Sequence, residues 1–123
     1  MKLSVLENLY AAKTLEESLS IITGLGVHTV EIGAGGYPGK AHCNPEELLA
    51  DKAKFNAFVD TFKKYDVEIC ALAAHGNPLH PDAKTAAAYD ADFKNAVLHP
   101  FLCDMHARAR TGRDTCRPAT AHT

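Results

Sequence analysis

Apolar positions along the first 98 residues alternate between two rhythms, short continuous runs and stripes spaced three or four apart. Residues 2–6 make a first short run, read as a strand. Thr14 with Glu17 forms a capping box, in which hydroxyl and carboxylate each satisfy a free backbone N–H. Leu15, Leu19, Ile22 and Leu25 continue as a helical stripe that stops at Gly24 or Gly26. A second apolar run spans 27–33. Asn44, Pro45, Glu46 and Glu47 then combine a capping residue, proline at the first helical position and early acids that suit the helix dipole. The helix they open breaks near Asp51 and resumes to Tyr65, with Phe55, Val59 and Phe62 on one face. A third apolar run covers 67–73. Asp82 caps a last helix that turns Ala86, Tyr89, Phe93 and Val97 inward.

This β-α-β-α-β-α order predicts an α/β fold with parallel strands. A doubly wound sheet would carry a glycine-rich turn after its first strand, but that segment, ENLYAAKT, has no glycine. The long second and third loops favour the start of a (β/α)8 (TIM) barrel, which places chemistry in the loops after its strands. Both loops are rich in candidate chemistry. One reads AGGYPGKAHCNP; the other, following the third run, reads HGNPLHP.

Composition narrows the partners. A net charge of −2 excludes a general nucleic-acid or membrane-surface binder, and no stretch resembles a secretory or spanning segment. A cytoplasmic protein is expected. Residues 1–98 hold nine lysines and no arginine, whereas 99–123 hold four arginines and no lysine. The chain is therefore read as a barrel-like part, 1–98, and an irregular or disordered tail, 99–123, possibly a frame-shifted product. Cys103, His106, Cys116 and His122 in the tail have irregular spacing for zinc. Arg108, Arg110 and Arg113 make at most a small basic patch. Cys70, inside an apolar run, is expected to be a buried free thiol.

The segments TLEESLSIITGLGVHTVEIGAGGYPGKAHCNPEELL and ICALAAHGNPLHPD resemble the N-terminal part of the sugar phosphate isomerase/epimerase family, xylose-isomerase-like TIM barrels. The resemblance covers roughly residues 1–98. It implies a metal-dependent isomerase or epimerase that abstracts a proton next to the carbonyl of a small sugar or sugar phosphate. It also implies a divalent metal (Mn, Mg, Co or Zn) in the intact family, held mainly by later strands, with none expected on this chain alone. His75 would line the substrate pocket and bind metal in the endonuclease branch; otherwise it is a loop histidine bonded to backbone. Glu31 would point into the barrel mouth, or else form a structural ion pair. Tyr37 and His42, in a loop able to act as a lid, are candidate substrate contacts. Asn77 is a further substrate candidate, although it and His80 also suit a turn-shaping role.

Two other readings accompany this one. An apurinic-site nuclease of the same superfamily needs a cationic face, against which the acidic body counts. A non-enzymatic, incomplete barrel would expose a sheet edge and invite self-association or a partner chain.

Overall fold

A computed structural model describes residues 2–98. Three strands, β1 (Val5–Leu6), β2 (Thr29–Gly36) and β3 (Glu68–His75), form one sheet in the order β1-β2-β3 with both pairs parallel. Helices α1 (Leu15–Gly24), α2 (Pro45–Ala50), α3 (Lys52–Lys64) and α4 (Ala83–Leu98) fill the connections and follow β3. The chain is thus α/β with a parallel sheet. No described helix is long and apolar enough to cross a membrane. The tail cysteines, histidines and arginines lie outside the described residues.

Helix boundaries follow local chemistry. Thr14 and Glu17 form the capping box at α1. Asp51 ends α2 and caps α3 by accepting from the Ala53 and Lys54 N–H groups. Asp82 caps α4 by accepting from Thr85 N–H. Asn44 instead donates its amide to Glu47, so its side chain does not cap α2.

The core lies between the helices and one face of the sheet. Leu19 and Ile22 of α1, Phe58 and Phe62 of α3, and Ala96 of α4 pack with Val30, Ile32 and Ile69. Phe58 and Phe62 meet edge to face, their ring centres 5.0 Å apart. Burying the largest of these side chains contributes about 2–3 kcal/mol each.

Several expectations need correction. The first strand is only Val5–Leu6, because register with β2 begins at Val5 opposite Val30. The second starts later and ends later than expected, at Thr29–Gly36. In α1, Leu25 lies beyond the last turn and is 68% exposed. In α3, Phe58 joins Phe62 at the centre, while Phe55 and Val59 pack at the margin. In α4, Phe93 and Val97 are 58% and 57% exposed, and Ala96 is the buried residue. Asp92 accounts for that rotation, since its bonds to β2 and the following loop hold its own side of α4 against the sheet.

Two bulges decide which residues face away from the helices. Val30 pairs with Ile69 but Glu31 pairs with Ala71, leaving Cys70 as an extra residue in β3. Gly33 pairs with Ala73 but Gly35 pairs with Ala74, leaving Ala34 extra in β2. A bulge resets the alternation of every later side chain. Counting by twos from buried Ile69 would send His75 toward the helices; the Cys70 bulge sends it to the opposite face.

Cys70 is accordingly exposed, contrary to expectation, and its thiol lies 3.1 Å from the Ser4 hydroxyl. Cys43 is the buried thiol. Burial, then the nearby charge of Glu7, push its thiol up to about 12. Native alkylation near neutral pH, followed by peptide mapping, is expected to label Cys70 at least about a thousandfold faster than Cys43, because only the thiolate reacts. Comparable rates would contradict the packing around Cys43.

Candidate functional site

The carboxyl ends of parallel strands are where an α/β sheet presents chemistry. Here β2 and β3 bring Glu31 and His75 to the same face, away from the helices. Glu31 Oε1 lies 4.0 Å from His75 Nε2, and both side chains reach solvent. That separation is too long for a hydrogen bond. It is short enough for both groups to touch one hydroxyl, with the carboxylate accepting its hydrogen and the imidazole donating to its oxygen. His75 is the last residue of β3 and not a loop residue two positions beyond it. Its carbonyl accepts from Tyr37 N–H at 2.7 Å, which ties the ends of β2 and β3 together.

Close backbone approach builds this edge. Gly36 has φ of +65°, and a Cβ there would stand 1.9 Å from the His75 carbonyl oxygen. After Gly36 the chain doubles back over the sheet. A Cβ on Gly33 would lie 3.0 Å from both the Pro38 and Gly39 carbonyl oxygens. The loop therefore covers the face two residues beyond Glu31.

Two sets of polar contacts fix that loop. At its near end, Asp92 of α4 accepts from Gly36 N–H at 2.9 Å and from Lys40 Nζ at 2.7 Å. Burial is the largest single influence on Asp92 and opposes its ionisation. The Lys40 and Gly36 hydrogen bonds and the Lys40 charge together outweigh it, and hold the carboxyl below its ordinary range. At the far end, His42 Nδ1 lies 2.6 Å from Glu7 Oε1, and Nε2 lies 2.6 Å from the Lys13 carbonyl oxygen. Glu7 sits in the 3-10 turn Glu7–Tyr10 that follows β1.

The remaining candidates occupy different positions. Tyr37 is 74% exposed, and its ring stands against Tyr89 of α4 with centres 5.5 Å apart. A hydrogen bond with Tyr37, then burial, raise the Tyr89 phenol above its ordinary value. Asn77 is exposed and uses Oδ1 to accept from Leu79 N–H, closing the turn after β3. His80 Nδ1 accepts from Asp82 N–H and supports the start of α4. The structure thus brings Glu31 and His75 together, places Tyr37 at the rim, and puts His42 in a buried contact at the loop's other end.

Glu7, Lys40, Asp92 and Tyr89 were not singled out as site residues from sequence. Glu7 did carry a signal, an acid interrupting the first apolar run just where a strand's carboxyl end was expected. Asp92 carried none, because it sits one position from the apolar stripe of its helix.

The described residues do not by themselves make a metal centre. No group of three or more His, Cys, Asp or Glu side chains among them could hold an ion. Glu31 and His75 supply two donors, fewer than the three or four protein ligands of a typical zinc site.

The chain is 35% identical over 81 residues to the uncharacterized protein YfiH of Bacillus subtilis (strain 168). That match takes in 66% of this chain and 26% of YfiH, so the chain spans about a quarter of that relative. No family model matches the chain, and no solved structure matches it.

Proposed function

We propose that this chain supplies the first three βα units of a (β/α)8 barrel of the sugar phosphate isomerase/epimerase kind. In this reading, Glu31 and His75 are pocket residues for a small sugar or sugar phosphate in the cytoplasm. The observation that carries it is the approach, to 4.0 Å, of a carboxylate from within β2 and an imidazole at the carboxyl end of the neighbouring parallel strand β3. Glu31 would accept a hydrogen bond from a substrate hydroxyl, and His75 would donate to the adjacent carbonyl oxygen. An imidazole donor at that oxygen favours the enediolate-like charge that develops when the neighbouring C–H loses its proton. The base is assigned to a segment outside these units. The two donors fall short of a metal set, so the chemistry attributed to this chain is binding and polarisation.

A second reading has its own support. The outer edge of β3 has no strand beside it among the described residues, and Phe93 and Val97 of the following helix α4 are exposed. A further βα unit would cover both features. The chain would then act by joining another polypeptide that completes the barrel, or a second copy of itself.

The test is an NMR titration of the full chain with aldose and ketose sugars and their phosphates. The His75 ring resonances are expected to move. Glu31→Gln, read at the His75 ring, and His75→Gln, read at the β2 backbone amides, are each expected to weaken affinity about tenfold or more, the usual loss for a hydrogen bond to a charged group. An unmoved His75 ring at about 10 mM of every compound, well above the millimolar Kd expected of an incomplete pocket, would overturn the proposal.

A further inference from the structure

We propose that Glu7 and His42 form a proton-dependent latch that holds the β2–α2 loop closed over the sheet. The inference rests on geometry and stands whether or not the chain handles sugars. A carbonyl oxygen only accepts, so the 2.6 Å contact to Lys13 requires a proton on His42 Nε2. The 2.6 Å contact between Nδ1 and Glu7 also requires a proton between nitrogen and oxygen. A neutral imidazole carries one proton, and an ionised carboxylate carries none. The closed arrangement therefore holds one proton more than neutral histidine beside ionised glutamate. Which atom of the Glu7–His42 contact carries it does not change the count.

Solvent has little access to the paired side chains, which are only 2% and 8% exposed for Glu7 and His42. Removing the proton sets a nitrogen lone pair against an oxygen at 2.6 Å, on one side of the ring or the other. Opening the loop relieves that contact by returning both groups to water. The other titratable groups nearby leave the count unchanged. Cys43, beside Glu7, keeps its proton up to about 12. Lys13 turns its carbonyl to the ring, and the Tyr10 phenol is partly buried in the same 3-10 turn as Glu7. The loop backbone at Pro38 and Gly39 lies over Gly33, on the face of the sheet that also carries Glu31.

The sign follows from proton linkage. The closed loop binds one more proton than the open loop once free histidine is neutral, above about pH 6.5. Closure is then favoured at lower pH and weakens as pH rises, by up to about tenfold per pH unit.

Amide exchange on the full chain, expressed as protection factors between about pH 6 and about pH 9, reads this directly. Protection across residues 37–44 is expected to fall by up to about tenfold per unit. Protection at Leu19 and Ile22 in α1 is expected to stay level. Glu7→Gln supplies an amide N–H that donates to Nδ1 without an added proton, so it should keep the loop closed and abolish the slope. His42→Gln should abolish the slope as well. Level wild-type protection at 37–44 would overturn the latch, and so would an undiminished slope in either variant. The wild-type titration decides the matter alone if the variants do not fold.

Discussion

Replacing Gly36 with alanine is expected to lower stability by about 1.5–3.5 kcal/mol, a substantial part of the roughly 5–15 kcal/mol that holds a small domain folded. Two costs combine. Alanine in the left-handed region costs about 1–2 kcal/mol, and Gly36 has φ of +65°. The new Cβ would also stand 1.9 Å from the His75 carbonyl oxygen, so β2 and β3 must separate there. Separation breaks the 2.7 Å bond from Tyr37 N–H, and the loss of that bond adds about 0.5–1.5 kcal/mol. Gly39→Ala is the control. Gly39 has φ of +75°, but nothing lies within 4 Å of a Cβ there. It should cost only the conformational part, about 1–2 kcal/mol. Urea midpoints for the two variants separate steric clash from backbone strain. Equal losses would mean that the strands do not meet as closely as described.

Asp92→Asn is expected to produce the second large loss, about 1–3 kcal/mol near neutral pH. Asp92 accepts from both Gly36 N–H and Lys40 Nζ, and the amide offers only one acceptor oxygen in their place. The ion pair adds less than its 2.7 Å distance suggests, because Asp92 and Lys40 remain 20% and 34% exposed and solvent screens them. The loss should depend on pH in a defined direction. The folded carboxyl is held below its ordinary range, so its contribution is present above the unfolded value and disappears as pH falls through the folded one. Urea unfolding at several pH values should show wild type and Asp92→Asn converging below about pH 4. A constant gap through that range would show that the charge on Asp92 contributes nothing.

Together these expectations assign the edge of the sheet to a small set of contacts that cross the chain. Gly36 lets β3 approach, Asp92 pins the start of the loop, and Glu7 with His42 secures its end. A loop held at two points differs from a freely swinging lid. His42, expected as a substrate contact, lies in the closure, and Tyr37 with Tyr89 forms the exposed rim. The loop's opening is accordingly tied to protonation, while the solvent-reaching Glu31–His75 pair keeps its place on two paired strands.

The sequence by itself determined the elements and their order. The Thr14–Glu17 capping box, the break near Asp51, the cap at Asp82 and the three apolar runs are local signals. Each acts within a few residues, so pattern and chemistry coincide along the chain. The tertiary structure alone decided which side chains meet. Strict alternation from Ile69 would have turned His75 toward the helices, and the Cys70 bulge that prevents this exists only once β3 pairs with β2. Glu7 and His42 are 35 residues apart, and Gly36 and Asp92 are 56 apart. Their contacts depend on how strands register and how α4 rotates against the sheet. No local propensity records either quantity, because both follow from packing separate elements into one core.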